Sequence, residues 1–258
     1  MRKFLLAILV AMFASTANAD NVVWTDVVTT TGSDHTVVTS VPRAYLDLSS
    51  VAGSQTQVVA DLANSSGLLR YANVSHKPMP NVVLTVGRMA TGFGLAQADD
   101  EPLGLPYVSE YYTGPTLDGA RLMVEYRDVL VTGRFGTQKQ VGSVYYQPNS
   151  YATIKGSVFN NSLADNTFEC VSISGALLGA SFATEYIFGD GQNSWSIGGS
   201  PLSVLGLSVL GRYDRYLGEE TMSFGLSKQV AQNARASLNF HNYQNSPTDV
   251  QLRWAFSY

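Results

Sequence analysis

The last nine residues constrain the fold of this chain more than any other feature. Val250, Leu252, Trp254, Phe256 and Tyr258 alternate with Gln251, Arg253, Ala255 and Ser257. Residues of one parity share a face of a β-strand, so this segment has one apolar and one largely polar face. A strand of about nine residues is long enough to cross a bilayer. Two interpretations are open at this point, the closing strand of a membrane barrel and an amphipathic last strand of a soluble sandwich.

The N-terminus predicts export. Arg2 and Lys3 precede an apolar run from Phe4 to Phe13, and Ala17-Asn18-Ala19 supplies the small residues that a signal peptidase recognises. We therefore expect residues 1–19 to be a cleaved signal peptide and residues 20–258 to form a single domain. No later segment is apolar over the length of a membrane helix, which leaves a soluble exported protein or a barrel.

The charge balance and the cysteine count narrow the function. The formal net charge is −4 and becomes more negative once Arg2 and Lys3 are removed, so nucleic acid is not an expected partner. The single cysteine, Cys170, has no partner for an internal disulfide. Charged residues make up only 14% of the chain. Such a composition suits strands that face lipid on one side and water on the other.

The rest of the chain predicts an all-β fold. Short segments of alternating polarity follow one another between turn-forming clusters, and we predict an antiparallel transmembrane β-barrel of about 16 strands, with 12 to 14 possible. Long and short links are predicted to alternate along the chain: we expect a longer loop at Tyr213–Glu220 and a tight turn at Gly199–Ser203, as in barrels with outer loops and periplasmic turns. In eight of the predicted strands, among them those with Ile154 and Val158 or with Met222 and Phe224, the more apolar parity carries no charge, whereas residues such as Lys155, Glu185 and Arg212 lie on the other parity. A soluble fold would bury the apolar face and a membrane barrel would expose it, so parity alone does not separate the two.

One connection, Ala90 to Ala120, is far longer than the others. A loop of about thirty residues in a compact domain is usually functional or disordered. Its acidic residues are Asp99, Asp100, Glu101, Glu110 and Asp118, and no Lys or Arg occurs before Arg121.

The sequence around this loop resembles the third-loop region of bacterial outer-membrane porins, in particular the phosphate-selective-porin-like and general trimeric types. The resemblance is carried by Val86-Gly87-Arg88, Thr91-Gly92-Phe93-Gly94-Leu95 and Leu117-Asp118-Gly119-Ala120. Upstream, Arg43-Ala44-Tyr45-Leu46-Asp47-Leu48 and Leu69-Arg70-Tyr71-Ala72 are similar to early strands of these proteins. The chain departs from the family by being short and by having no lysine-rich loop, which argues against a phosphate preference.

The resemblance implies a bacterial outer-membrane location in contact with lipid, a constriction loop folded into the barrel, and assembly as a homotrimer. The terminal aromatics Trp254, Phe256 and Tyr258 resemble the signal that the barrel-assembly machinery reads. The charges in the sequence agree with such a constriction, because the loop acids can face a set of arginines across a narrow pore. The acids are Asp99, Asp100, Glu101, Glu110 and Asp118, and the arginines are Arg43, Arg70, Arg88, Arg121 and Arg134. Opposed charges of this kind orient and sort polar solutes. Alternatively, the arginines pair with wall acids such as Asp47, Asp61 and Glu125.

The function expected from the sequence is passive diffusion of small hydrophilic solutes or ions, without cofactor, metal or catalysis. The alternatives are a non-conducting structural or adhesive barrel and a soluble secreted all-β binding protein. His35, His76 and His241 lack metal-ligand spacing and are expected at the surface or in loops. A minor enzymatic alternative is a barrel hydrolase that would use His241 with Ser237 and Asn239.

Overall fold

The computed structural model describes residues 22–31, 36–47, 56–63, 71–95, 107–114, 116–178, 180–204, 207–231, 234–246 and 248–257. Over these residues the chain forms sixteen β-strands and one short helix. The strands are β1 (Val22–Thr31), β2 (Thr36–Asp47), β3 (Thr56–Ala63), β4 (Tyr71–Met79), β5 (Val82–Ala90), β6 (Thr116–Tyr126), β7 (Val129–Gly136), β8 (Lys139–Asn149), β9 (Ala152–Asn161), β10 (Asn166–Leu177), β11 (Ala180–Gly189), β12 (Gln192–Val204), β13 (Leu207–Tyr216), β14 (Glu219–Ala231), β15 (Ala234–Tyr243) and β16 (Asp249–Ser257). Helix α1 (Val108–Thr113) lies between β5 and β6. Among the described residues, no helix is long and apolar enough to cross a bilayer.

The sheet closes on itself. Each strand pairs antiparallel with its neighbours in sequence, and β1 pairs with β16 in a register that sets Trp24 opposite Ser257 and Thr31 opposite Val250. Closure leaves no strand edge with unpaired backbone groups. The prediction of an antiparallel barrel of about sixteen strands is confirmed. We call the rim where β1 begins and β16 ends the terminal rim, and the opposite rim, from which residues 91–115 depart, the loop rim.

The links between strands differ from the expected alternation. The segment Tyr213–Glu220 is not a longer loop, because β13 and β14 are joined by the two-residue turn Leu217–Gly218. Both turn residues have positive φ, 51° and 88°, which is the conformation of a tight type I′ hairpin. Gly199–Ser203 is not a turn either. It lies inside β12, where the pairing with β13 shifts register between Gly199 and Leu202.

The two faces of the wall have opposite polarity. On β8, Val144 is 48% exposed and its neighbour Ser143 only 3%, and on β14, Phe224 is 46% exposed and Ser223 5%. The outward side chains predicted from parity are exposed along the barrel: Leu122, Tyr126, Ile154, Val158, Phe182, Tyr186, Phe188, Met222, Phe224 and Phe240. The apolar face is thus outside and the polar face inside, which is the reverse of a soluble sandwich and the arrangement of a membrane barrel. The structure therefore separates the two interpretations that parity left open.

Aromatic side chains gather on the outer face towards both rims. Tyr126 and Tyr146 are exposed at the end of β6 and β8 near the terminal rim. Towards the loop rim, Phe188 is exposed on β11, and the rings of Trp195 and Tyr213 stack with centroids 4.9 Å apart. Aromatic girdles at the two interfaces are typical of transmembrane barrels.

The inserted loop and its seat on the inner wall

The connection from β5 to β6, residues 91–115, turns into the barrel as soon as β5 ends. We call it the inserted loop. Thr91, Gly92, Phe93 and Gly94 are all buried, and both glycines have positive φ, 70° and 55°. Glycine adopts this conformation without steric cost, so the chain can bend sharply from the strand into the interior. The expectation that this loop folds into the barrel is confirmed for its described residues, 91–95 and 107–114.

The returning part of the inserted loop is the short helix α1. It ends at Gly114, whose φ of 68° is typical of a residue that terminates a helix and whose N–H donates to the carbonyl of Glu110 at 2.8 Å. Thr91 ties this end to the start of the loop, because its hydroxyl donates to the carbonyl of Gly114 at 2.9 Å. The two described arms of the loop, residues 91–95 and 107–114, therefore run together.

The loop rests on a small apolar patch of the inner wall, which we call the loop seat. Its buried members are Phe93 and Val108 from the loop together with Val141, Phe159, Phe168, Cys170 and Ile187 from β8 to β11. The ring of Phe93 packs against that of Phe159 with centroids 5.8 Å apart, and the ring centroids of Tyr112 and Phe168 are 4.6 Å apart. Burial of aromatic surface of this size is a major source of packing energy. It fastens the loop to the wall.

Two charged residues of the inner wall bind the backbone of the inserted loop. Glu185 on β11 is 1% exposed, and its two carboxylate oxygens accept hydrogen bonds from the N–H groups of Leu95 and Ser109, both at 2.9 Å. Lys155 on β9 donates to the carbonyls of Gly92, at 2.8 Å, and Gly94. A buried charge is costly unless it is hydrogen-bonded, and here the loop backbone supplies the partners.

Neutral side chains complete the attachment. The hydroxyl of Ser157 accepts from the N–H of Gly94 at 3.0 Å. Tyr112 and Ser194 share a hydrogen bond of 2.7 Å between their hydroxyls. Burial raises the pKa of Tyr112 above its ordinary value, so this hydroxyl stays protonated. Lys139 donates to the carbonyl of Thr113.

A basic stretch of wall lies beside the loop. Arg121 on β6 and Arg134 on β7 are directly opposite in register and both face inwards. Arg121 donates to Thr85 at 2.9 Å and Arg134 to Thr132 at 3.0 Å, and the Nε of each is buried without a hydrogen-bond partner. Among the described residues, neither guanidinium forms a salt bridge. Like charges opposite each other across strands are unfavourable, and no acidic side chain among the described residues forms a salt bridge with either arginine.

Acidic groups lie on the far side of the loop. Asp214 on β13 is buried and accepts from the Nε of Arg212 at 2.8 Å. The guanidinium of Arg212 in turn lies 5.1 Å from the ring centre of Tyr107 on the loop. Glu185 and Asp214 thus stand on β11 and β13, whereas Arg121 and Arg134 stand on β6 and β7.

A cavity of about 250 Å³ lies under the loop. Leu95, Tyr107, Tyr145, Lys155 and Ser172 are among the residues that line it. It therefore has both aromatic and polar walls.

The structure separates the predicted constriction residues into three groups. Arg121, Arg134 and Glu110 belong to the site, the two arginines on the inner wall and Glu110 half-buried on α1. Arg88 and Asp118 were wrongly assigned to the lumen. They lie on the outer face, where Arg88 donates to Asp118 at 2.8 and 2.9 Å.

The backbone explains this correction. The inward positions next to the pair are taken by Met89 and Leu117, which are buried. Arg88 and Asp118 face each other in register one residue further along, and therefore point the opposite way. Asp118 is also not part of the loop, because β6 begins at Thr116.

The remaining predicted residues fall outside what the structure describes. Asp99, Asp100, Glu101, Arg70 and Tyr258 lie outside the described residues. The side chains of Arg43, Trp254 and Phe256 do so as well. The backbone of the last two is described, and it places Trp254 opposite Val27 and Phe256 opposite Thr25 in the closing pair of strands.

Sequence reasoning placed Lys155 and Glu185 on the inner parity but gave them no role. The sequence indicated a role for each of them only by a single charged residue in the middle of an apolar strand. His241 is also not at the surface: it is fully buried on the inner wall, and its Nδ1 lies 3.0 Å from the hydroxyl of Ser223 rather than bonding to Ser237. Among the described residues, no group of three or more His, Cys, Asp or Glu side chains could hold a metal ion.

Comparison with solved structures identifies the fold. No protein-family model matches the sequence, and no curated protein sequence matches it. Among solved structures, a loop-deletion form of OmpT, an outer membrane protein of Vibrio cholerae, aligns with a TM-score of 0.71 and 11% identity over 93% of this chain and 99% of that chain. A variant of the porin of Rh. blastica aligns with a TM-score of 0.69 and 9% identity over 93% of this chain and 100% of that chain. At such low identity the likeness shows the shared fold, that of outer-membrane β-barrels.

Proposed function

We propose that the protein is a porin of the bacterial outer membrane that lets small hydrophilic solutes diffuse passively and favours anions at its constriction. The observation that carries the proposal is the inserted loop, seated inside a closed barrel next to the guanidinium groups of Arg121 and Arg134, which form no salt bridge with any described residue. The predicted signal peptide and the exposed apolar outer face are consistent with the location. The three porin-like elements (closed barrel, polar inner wall, inserted loop) occur together.

The mechanism follows from the inner wall. The inserted loop narrows the passage and sets the size of solute that passes. A solute anion that passes the inner wall is attracted by the positive charge of Arg121, which is half-buried, and of Arg134, which is buried beneath the loop. This positive charge raises the local concentration of anions. Diffusion requires no cofactor and no covalent step.

The test is conductance of the refolded protein in a planar bilayer under a salt gradient. We expect channels with a reversal potential that indicates anion preference. Arg121→Gln removes one inner charge and should shift the reversal potential towards cations. Arg88→Gln makes the same change on the outer face and should leave it unshifted. The anion preference is overturned if the two variants behave alike, and diffusion itself if the wild-type barrel does not conduct.

A second candidate is a non-conducting structural barrel. The apolar loop seat favours it, because a well-packed loop fills part of the interior between β8 and β11. The same bilayer measurement decides, since this candidate predicts inserted protein without channels.

The assembly pathway and the oligomeric state are also proposals. We propose insertion by the barrel-assembly machinery through the closing strand, where Trp254, Phe256 and Tyr258 would be read, and assembly as a homotrimer. Removal of Tyr258 should lower the amount of barrel in the outer membrane. Chemical cross-linking in membranes should yield trimers, and cross-linking that yields monomers alone would contradict that state.

A further inference from the structure

A single carboxylate ties together the two arms of the inserted loop. Leu95 and Ser109, whose N–H groups bind the two oxygens of Glu185, lie on either side of residues 96–106. Those residues include the sequence acids Asp99, Asp100 and Glu101. Glu185 therefore joins the two described arms of the inserted loop, residues 91–95 and 107–114, at one point of the wall.

The packing around this carboxylate is tight. A Cβ added to Gly94 would lie 2.6 Å from an oxygen of Glu185 and 2.5 Å from the Cβ of Ser109. The two arms and the carboxylate thus fit together only because residue 94 has no side chain. Hydrogen bonds to an ionised acceptor are the stronger class, and Glu185 makes two of them in a buried site.

Lys155 provides the complementary half of the attachment. It lies across the sheet from Glu185, with Ser172 between them in register. Lys155 binds carbonyls of the loop and Glu185 binds its N–H groups. The two buried charges are satisfied by the loop backbone, so any movement of the loop would leave both without these partners.

We propose that Glu185 is the positioning residue of the constriction: by binding the N–H groups of Leu95 and Ser109, it holds the two described arms of the inserted loop against the wall and so sets the solute size limit of the pore. The claim about pore size rests on the proposed diffusion function. The claim that Glu185 holds the loop does not, and it can be measured separately.

The first measurement uses Glu185→Gln, which keeps the shape of the side chain but turns one acceptor oxygen into an NH2 donor. One of the two hydrogen bonds to the loop is then lost. Single-channel recordings with neutral polymers of graded size should show a larger exclusion limit than in the wild type. The matched control is Glu169→Gln, on the outer face of the neighbouring strand β10, which should leave the limit unchanged. Heat-modifiable migration on gels should show that both variants retain an intact barrel. A variant that had lost overall stability would not show this migration.

The second measurement reports on the loop without conduction. Ser109 is fully buried beside Glu185, so a cysteine at this position is shielded as long as the loop stays in place. Ser109→Cys is made in a Cys170→Ser background, and this double variant with Glu185 intact is the reference. A thiol reagent should label this cysteine slowly when Glu185 is present and about tenfold faster with Glu185→Gln, the factor expected for loss of one hydrogen bond to a charged group.

The two measurements together separate the possible failures. Faster labelling in a barrel that does not conduct supports the role of Glu185 and contradicts diffusion. A conducting barrel in which Glu185→Gln changes neither the labelling rate nor the size limit overturns the role of Glu185 and leaves diffusion standing. Faster labelling with an unchanged size limit overturns the claim that this contact sets the pore size.

Discussion

The inner and outer walls of the same strands use charge in different ways. On the outside, Arg88 and Asp118 bind each other and both remain exposed to the surroundings. On the inside, Lys155 and Glu185 are buried and bind the backbone of the inserted loop. The difference shows that the inner charged groups bind one particular element, the inserted loop, whereas the two outer charged groups bind each other.

The two walls also differ in where they are apolar. The outer wall is largely apolar, whereas the buried apolar residues of the inner wall that the structure describes are concentrated at the loop seat, with Met89 and Leu117 on β5 and β6 in addition. Beyond the seat, the inner positions of β14 and β15 are small or polar: Ser223, Ser227, Ser237, Asn239 and His241. The apolar inner patch therefore coincides with the loop that covers it, as expected if it exists to hold the loop.

The largest expected effect comes from opening the loop seat. Phe159 is fully buried between the wall and the loop, and Phe159→Ala should lower the free energy of unfolding by about 3–5 kcal/mol, because it removes a buried ring and leaves a cavity. The measurement is urea unfolding of the protein in phospholipid vesicles. Phe159→Leu, which keeps more of the volume, should cost about 1.5 kcal/mol or less. Equal costs for the two variants would mean that the seat is not tightly packed.

The next effect tests the outer wall. Val144 lies mid-strand and is exposed on the outer face, whereas Tyr151 is exposed in the turn at the terminal rim. If the outer wall faces lipid, Val144→Arg should cost about 2–4 kcal/mol and Tyr151→Arg about 0–1 kcal/mol, because the penalty for a charge depends on depth in the bilayer. Unfolding in vesicles gives both values. A similar cost at both positions would contradict a lipid-facing wall.

Much of the barrel could be predicted from the sequence because alternation is a local property. The parity of β9, for example, correctly set Ile154 and Val158 outside and Lys155 inside. The turn at Leu217–Gly218 was missed since Leu is a rare choice for a position of φ 51° and gives no turn signal. The error on Arg88 was avoidable, because Arg88 shares its parity with the exposed residues Leu84 and Val86.

The site could be predicted only in part. The glycines and the length of residues 91–115 indicated a loop that folds inwards. The partners of Glu185 could not be found in this way, because they are backbone N–H groups 90 and 76 residues away in sequence and no side-chain pattern encodes them. A loop that is attached through its backbone leaves little trace of its attachment in its own residue types.

The smallest expected effect is at the outer ion pair, and it completes the test of the comparison. Arg88 and Asp118 lie two residues from the ends of β5 and β6 at the loop rim, where water and not lipid surrounds the wall. They are joined by two hydrogen bonds, and pairs exposed to solvent contribute little because solvent and entropy offset their attraction. Arg88→Gln and Asp118→Asn, singly and together, should therefore change the free energy of unfolding only slightly, with a small coupling in the double-mutant cycle. Glu185→Gln measured in the same way should cost clearly more, since it leaves a buried N–H group of the loop without its acceptor. If the outer variants were as damaging as the inner one, the outer pair would have to be buried in the membrane by a partner surface. The distinction between outer charges that bind each other and inner charges that bind the loop would then not hold.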